Sequence, residues 1–305
     1  MMRRLLKKLK RYWPLYVMLL PGTAYLVINN YLPMAGIVVA FKQFNYQKGI
    51  FGSPWNGIKN FEFLFKTRDA WTITRNTLGY NLIFIILGTV IAIAVAILLS
   101  ELTSDRSKKV YQTCLLIPFI ISIVVVSYIV YGFFSTESGF VNKLLEHMGK
   151  DRVSWYSDPA WWPLILVTVN IWKNLGYNMV LYYATLVGID PSCNEAAIVD
   201  GATRWQRIWY ITLPFLRPTI CILTLMSISK IFYSDFGLFY QVPMNSGPLI
   251  DVTNTIDTYV YRGLMETNNL GMSAAAGFYQ STVGFLLVFA ANAVVKKFSE
   301  DSALF

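Results

Sequence analysis

Long apolar runs, separated by short polar and basic stretches, set the plan of this chain. A helix needs about 20 mostly apolar residues to cross a bilayer. Six segments qualify: 13–41, 82–99, 114–134, 161–189, 219–239 and 274–295. The second is uncharged throughout, the fourth carries Lys173, and the fifth carries Lys230 and Asp235. Backbone exposed to lipid must satisfy its own hydrogen bonds. The runs therefore predict an all-α polytopic membrane protein with six transmembrane helices. The connecting segments 42–70, 135–160 and 241–272 hold aromatic and aliphatic residues, among them Phe61, Phe63, Leu64 and Phe65. Such loops are expected to be ordered, with short helices lying on the outer surface.

Six spans place both termini on one side of the membrane. With the N-terminus in the cytoplasm, fourteen of the 26 basic residues fall inside and ten outside, and the inside loops are the shorter ones. Basic density favours that orientation. The expected organisation is a basic cytoplasmic tail at 1–12, a transmembrane domain at 13–295 with a cytoplasmic loop at 190–217, and a second cytoplasmic tail at 296–305. The basic head and apolar core of the first 20 residues resemble a signal peptide. No A-x-A-like site follows and the apolar run continues to Phe41, so an uncleaved first span is expected.

Composition agrees. The chain of 305 residues is 55% hydrophobic and only 14% charged, with mean hydropathy +0.46. Soluble domains carry about 25% charged residues. The net charge of +9 sits at the ends of apolar runs, which marks a membrane surface rather than nucleic acid. Cys114, Cys193 and Cys221 fit no metal-ligand spacing. His147 is the single histidine, which argues against a zinc site or a histidine-based triad. No catalytic pair or metal site is expected.

The exception to the greasy pattern is EAAIVDGATRWQRIWYITLP, residues 195–214. Ser192 and Glu195 have capping-box spacing, and Asp190 before Pro191 offers a second helix start. Gly201 is suited to end that helix in a left-handed conformation. Thr203 is placed to cap a second helix on which Trp205, Ile208, Trp209 and Thr212 share a face flanked by Arg204 and Arg207, and Pro214 and Pro218 are expected to close it. Two short helices are marginal alone and need a partner surface. Read from the residues, that surface is either lipid headgroups under the tryptophans or a protein in the water. Glu195 either meets that partner or caps its own helix.

The spacing Glu195-Ala196-Ala197, Gly201, Ile211-x-Leu213-Pro214 resembles the EAA loop of permease subunits of bacterial ATP-binding-cassette importers. The likeness extends over nearly the whole chain. WKNLGYNMVLYYATLVGID, DTYVYRGL and SAAAGFYQSTVGFLLVFAANAVVKK are similar to carbohydrate-type permeases, and to the oligosaccharide and aldouronate group among them. Cys193-Asn194 departs from the pattern, and no large inserted outer domain is present. The resemblance implies a type I importer permease fold in the bacterial inner membrane. It implies a loop that docks on a cytoplasmic ATPase through Glu195, Ala196, Ala197, Asp200, Gly201 and Arg204. It also implies the partners: a second, related permease, two ATPase subunits, and an extracytoplasmic solute-binding protein that delivers a saccharide.

The chain has no GxxxxGK[ST] phosphate loop. It is expected to have no cofactor of its own and not to be an enzyme, with ATP bound by the partner subunits. Charge at membrane depth is expensive and tends to face a cavity or a partner. Asn170, Trp172, Lys173, Asn174, Tyr177 and Asn178 on the fourth span, with Lys230, Tyr233, Ser234 and Asp235 on the fifth, combine hydrogen-bonding groups with flat aromatic faces, as a saccharide path requires. Lys173 and Asp235 either line that path or pair to hold the two spans together. Lys230 alternatively snorkels to the membrane surface. Other readings are the same machine for a non-sugar solute, and a channel or transporter that needs no ATPase.

Overall fold

The computed structural model of the chain describes residues 2–62 and 66–298. Phe63, Leu64 and Phe65, and residues 299–305 of the expected C-terminal tail, lie outside the described residues. Among those described, regular structure is helical apart from one antiparallel bridge between Lys42 and Trp55. The all-α class predicted by the apolar runs is the class observed.

Helix α1 (Met2–Leu26) runs through a π turn (Val27–Tyr31) into a 3-10 stretch (Leu32–Phe41). Pro33 has no N–H to continue an α ladder. The wide turn before it closes Leu32 N–H on the carbonyl of Val27, five residues back. At the end of this rod the Asn60 amide donates to the carbonyls of Ala40 and Lys42, both at 2.9 Å.

The remaining bundle consists of α2 (Asp69–Ser100), α3 (Asp105–Ile120), α4 (Ile123–Phe134), α5 (Phe140–His147), α6 (Trp162–Val187), α7 (Pro191–Val199) and α8 (Arg204–Arg207). It continues with α9 (Leu213–Ile228), α10 (Phe236–Gln241), α11 (Ile256–Met265) and α12 (Leu270–Phe298). Helices α2 and α6 form the spine. Ala92, Ala96, Met179 and Tyr182 meet between them, with Leu216 of α9 packed alongside. A second cluster joins Tyr80, Val126, Trp162 and Leu166 to Leu238 and Phe239 of α10. In lipid, small residues let helices approach closely. Gly176 does so here: a Cβ at that position would lie 2.0 Å from the Leu115 carbonyl oxygen of α3.

Among the described residues four stretches are long and apolar enough to cross a membrane: Arg11–Phe41, Asp69–Ser100, Arg204–Ile228 and Leu270–Ala293. Helix α6, at 26 residues, is long enough but carries Asn170, Lys173, Asn174 and Asn178. Two expected spans differ in shape. The third, expected as one helix over 114–134, is split into α3 and α4 with a 97° bend between them. Ile121 and Ser122 are extended there, and Ser122 starts α4 by accepting from Val125 N–H. The fifth, expected over 219–239, instead starts at Arg204 and stops at Ile228, leaving Lys230 and Asp235 beyond the helix.

The loops at the far end of the bundle from α7 carry the short helices expected of them: a turn at Gly49–Gly52, α5 and α11. Buried Arg262 organises part of this end. It donates to Asn245 at 3.0 Å and Asn254 at 2.7 Å, holding a turn in which Met244 and Asn245 both have positive φ.

Candidate functional site: a capped loop and a cavity at two ends of one rod

The loop is built from local signals. Asp190 starts α7, accepting from Ser192 N–H at 2.9 Å. Ser192 thereby also holds the Asp190 carboxyl below the usual carboxylate range. The alternative Ser192–Glu195 box does not form. Glu195 is exposed, and among the described residues its carboxylate accepts no hydrogen bond and joins no ion pair. Helix α7 ends in a Schellman motif. Gly201, at φ +79°, donates to the Ile198 carbonyl, and Ala202 N–H reaches back to Ala197 at 2.9 Å. Thr203 and Gln206 then cap each other's backbone at the start of α8.

That second helix does not close at Pro214. Through a π turn (Ile208–Thr212), in which Leu213 N–H bonds Ile208 O, it passes directly into α9. The wider turn accommodates a proline that an α ladder would not. Arg204–Ile228 is thus one rod of 25 residues, about 37 Å long at roughly 1.5 Å per residue. The expected aromatic face is also divided. Ile208 is half-buried against the cluster at Leu216 and α2, whereas Trp205 and Trp209 are exposed. Arg207 is turned inward, 3.9 Å from Glu101 at the end of α2, while Arg204 stays exposed. Ala196, Asp200 and Val199 are exposed as well, Val199 to 86%.

At the other end of the rod the chain leaves helical geometry between Ser229 and Asp235. Backbone groups freed inside a membrane need partners. Asn81 of α2 donates to the carbonyls of Ile231 and Tyr233 at 2.8 and 2.9 Å. Gln280 of α12 donates to Phe232 O at 2.9 Å. Asp257 of α11 accepts from Ser234 N–H and hydroxyl, both at 2.7 Å, and from Gln280 at 3.0 Å.

The break walls a cavity of about 640 Å³ among α2, α6 and α9. Of the residues expected on a substrate path, Asn170, Tyr177, Asn178 and Tyr233 line it, and Phe119 stacks on Tyr177 at 4.8 Å between ring centroids. Trp172, Lys173 and Asp235 do not line it. Lys173 and Asp235 form no pair either: each serves a helix end. The Lys173 ammonium donates to the Phe119 and Ile121 carbonyls at 3.2 and 2.6 Å, at the negative C-terminal end of α3. Asp235 caps α10 by accepting from Leu238 N–H at 3.1 Å. Asn174, also expected on the path, lines it too, whereas Asn81, Thr89, Ser227 and Ser229 line it without having been expected there. A polar residue in an apolar run was the one available signal, and it does not say which face it occupies.

Residues 88–300 match the family described as binding-protein-dependent transport system inner membrane component. The chain belongs to this family. Membership makes it an inner-membrane transport component rather than an enzyme. Protein LplB of Bacillus subtilis (strain 168) is 34% identical over 96% of this chain and 92% of its own length. The polygalacturonan/rhamnogalacturonan transport system permease protein YteP of the same organism is 31% identical over 98% and 92%. Among solved structures, a chain of a bacterial ABC transporter involved in the import of the acidic polysaccharide alginate superposes with a TM-score of 0.88. It is 34% identical and covers 96% of this chain and 99% of that one. A second structure of an alginate transporter, with a periplasmic protein bound to an alginate pentasaccharide, gives 0.87 at 33% identity.

Proposed function

We propose that this chain is one permease subunit of a saccharide importer driven by ATP hydrolysis on separate subunits. The bent pair α3–α4 and the polar α6 complete six spans with both termini in the cytoplasm. The loop at 190–217 then faces the cytoplasm and docks on an ATPase through Glu195, Ala196, Ala197, Asp200, Gly201 and Arg204. A binding protein loads an oligosaccharide at the opposite end. A second, related permease closes the path, and Asn170, Tyr177, Asn178 and Tyr233 contact the sugar along it.

One observation carries the reading. The rod Arg204–Ile228 has an exposed, doubly capped loop at one end and an irregular, cavity-lining segment at the other. Among the described residues Glu195 has no partner of its own, which suits a contact made by another chain. Discontinuous helices lining a cavity are how many transporters hold substrate near the membrane interior. The saccharide identity is supported by the relatives named above for polygalacturonan and alginate. Uptake of labelled oligosaccharides by proteoliposomes holding the whole complex tests it. ATP- and binding-protein-dependent uptake is expected, and transport by this chain with no ATPase present would refute it.

A further inference from the structure

Among the described residues Lys230 is the sole charged side chain lining the cavity, and no aspartate or glutamate lines it. Lys230 is exposed and, among the described residues, its ammonium makes no hydrogen bond or ion pair. The groups that would ordinarily neutralise it are already occupied. Asp257 accepts three bonds from Ser234 and Gln280, and Asp235 caps α10. The last carbonyls of α9 are taken by the backbone: Leu225 by Ser229 N–H, Ser227 by Lys230 N–H and Ile228 by Ile231 N–H. The contrast with Lys173 is direct, because that ammonium is held by three carbonyls of the α3 end. An uncompensated cation at the end of a membrane-crossing helix tends to face an anion or a functional cavity, and Lys230 lies two residues past the end of Arg204–Ile228.

Around this cation stand amides at Asn170, Asn174 and Asn178, which share one face of α6, and the ring of Tyr233. Amides and aromatic faces suit sugar hydroxyls and ring planes, and the ammonium adds a site for a carboxylate. We infer that Lys230 is a specificity residue that receives the carboxylate of an acidic saccharide, a uronic-acid oligomer, inside the cavity. The assignment rests on the saccharide reading above and adds the charge of the substrate to it.

The test is a binding titration on the purified permease–ATPase complex without the binding protein, whose own specificity would otherwise decide the result. The probes are a uronic-acid pentasaccharide and its carboxyl-reduced, neutral counterpart of equal length. For Lys230→Gln the acidic probe is expected to bind about tenfold more weakly or worse, the worth of one charge-assisted hydrogen bond. The neutral probe is expected to change less than twofold, and Lys230→Arg to restore most of the acidic binding. Equal loss for both probes would overturn the assignment, since that is what a pairing with the second permease would produce. No change for either would overturn it as well. A wild-type complex that binds both probes while Lys230→Gln is silent leaves the saccharide reading standing and removes only Lys230. A wild-type complex that binds neither removes both.

Discussion

The two ends of the rod Arg204–Ile228 are stabilised in opposite ways. At the loop end the capping bonds are short in sequence, Asp190 to Ser192, Ala202 to Ala197 and Thr203 to Gln206, and the 3.9 Å pair of Arg207 with Glu101 is the long-range addition to them. At the cavity end the partners come from afar. Asn81 reaches a carbonyl 150 residues away and Gln280 one 48 residues away. The loop is a device that carries its own geometry, suited to presenting a surface to another chain. The cavity exists only while α2, α6, α9, α11 and α12 are correctly packed, so its shape responds to any movement of the bundle.

The cavity end is most severely disturbed at Gly176. A side chain there would meet the backbone of α3 at Leu115, which cannot swing away. Gly176→Leu is expected to destabilise the permease by about 3 kcal/mol or more, the upper range of overpacking. It should also abolish sugar binding. A thermal melt and a binding titration check both, and full binding would show that the cavity is not set by the packing of α3 on α6.

Lys173→Met removes the ammonium from the α3 carbonyls at the 97° bend. Carbonyls left unsatisfied there should cost roughly 1–3 kcal/mol. The Phe119–Tyr177 stack, one turn away, should loosen, weakening saccharide affinity several-fold while the loop keeps its structure. Hydrogen exchange on the two regions separates the effects: amides of α3 and α4 speed up and those of α7 do not.

Gly201→Ala is smaller and stays at the other end. At φ +79° a Cβ costs about 1–2 kcal/mol, which frays α7 and its Schellman turn. Coupled uptake is expected to fall a few-fold with saccharide affinity unchanged. The smallest effect is the pH dependence of the Asp190 cap. Its folded carboxyl titrates below the usual range, so its contribution is present above the unfolded value and lost as pH falls through the folded one. In acid, exchange of α7 amides in the wild type should rise relative to Asp190→Asn, which caps without titrating. Parallel profiles would remove the cap from the account.

The same contrast explains what could be read from the amino-acid sequence. Gly201, Thr203 and the all-helical, apolar character of the chain were legible because their signals are local: a residue that tolerates positive φ, a capping spacing, a hydrophobic length. The bend after Ile120 was not. It depends on an ammonium 52 residues beyond Ile121. Pro214 pointed to a helix end, but a π turn absorbed it. Asn170, Tyr177, Asn178 and Tyr233 were legible as polar and aromatic residues in apolar runs, and they do line the cavity. Lys173 and Asp235 gave the same signal and turned out to serve helix ends, because a charge in a span reads alike whether it meets a ligand or a carbonyl. Asp190 rather than Ser192 caps α7, and that frees Glu195 from its own helix.

In the proposed importer Glu195 works on a partner while the cavity holds the sugar, two tasks joined by one rod and separable by mutation. Glu195→Lys in the reconstituted complex tests it most directly, with saccharide affinity and substrate-stimulated ATP hydrolysis read on the same sample. The expected result is an affinity within about twofold of wild type and a loss of stimulation of at least about tenfold, roughly 1.4 kcal/mol of coupling. Unchanged stimulation, or affinity and stimulation falling together, would contradict it.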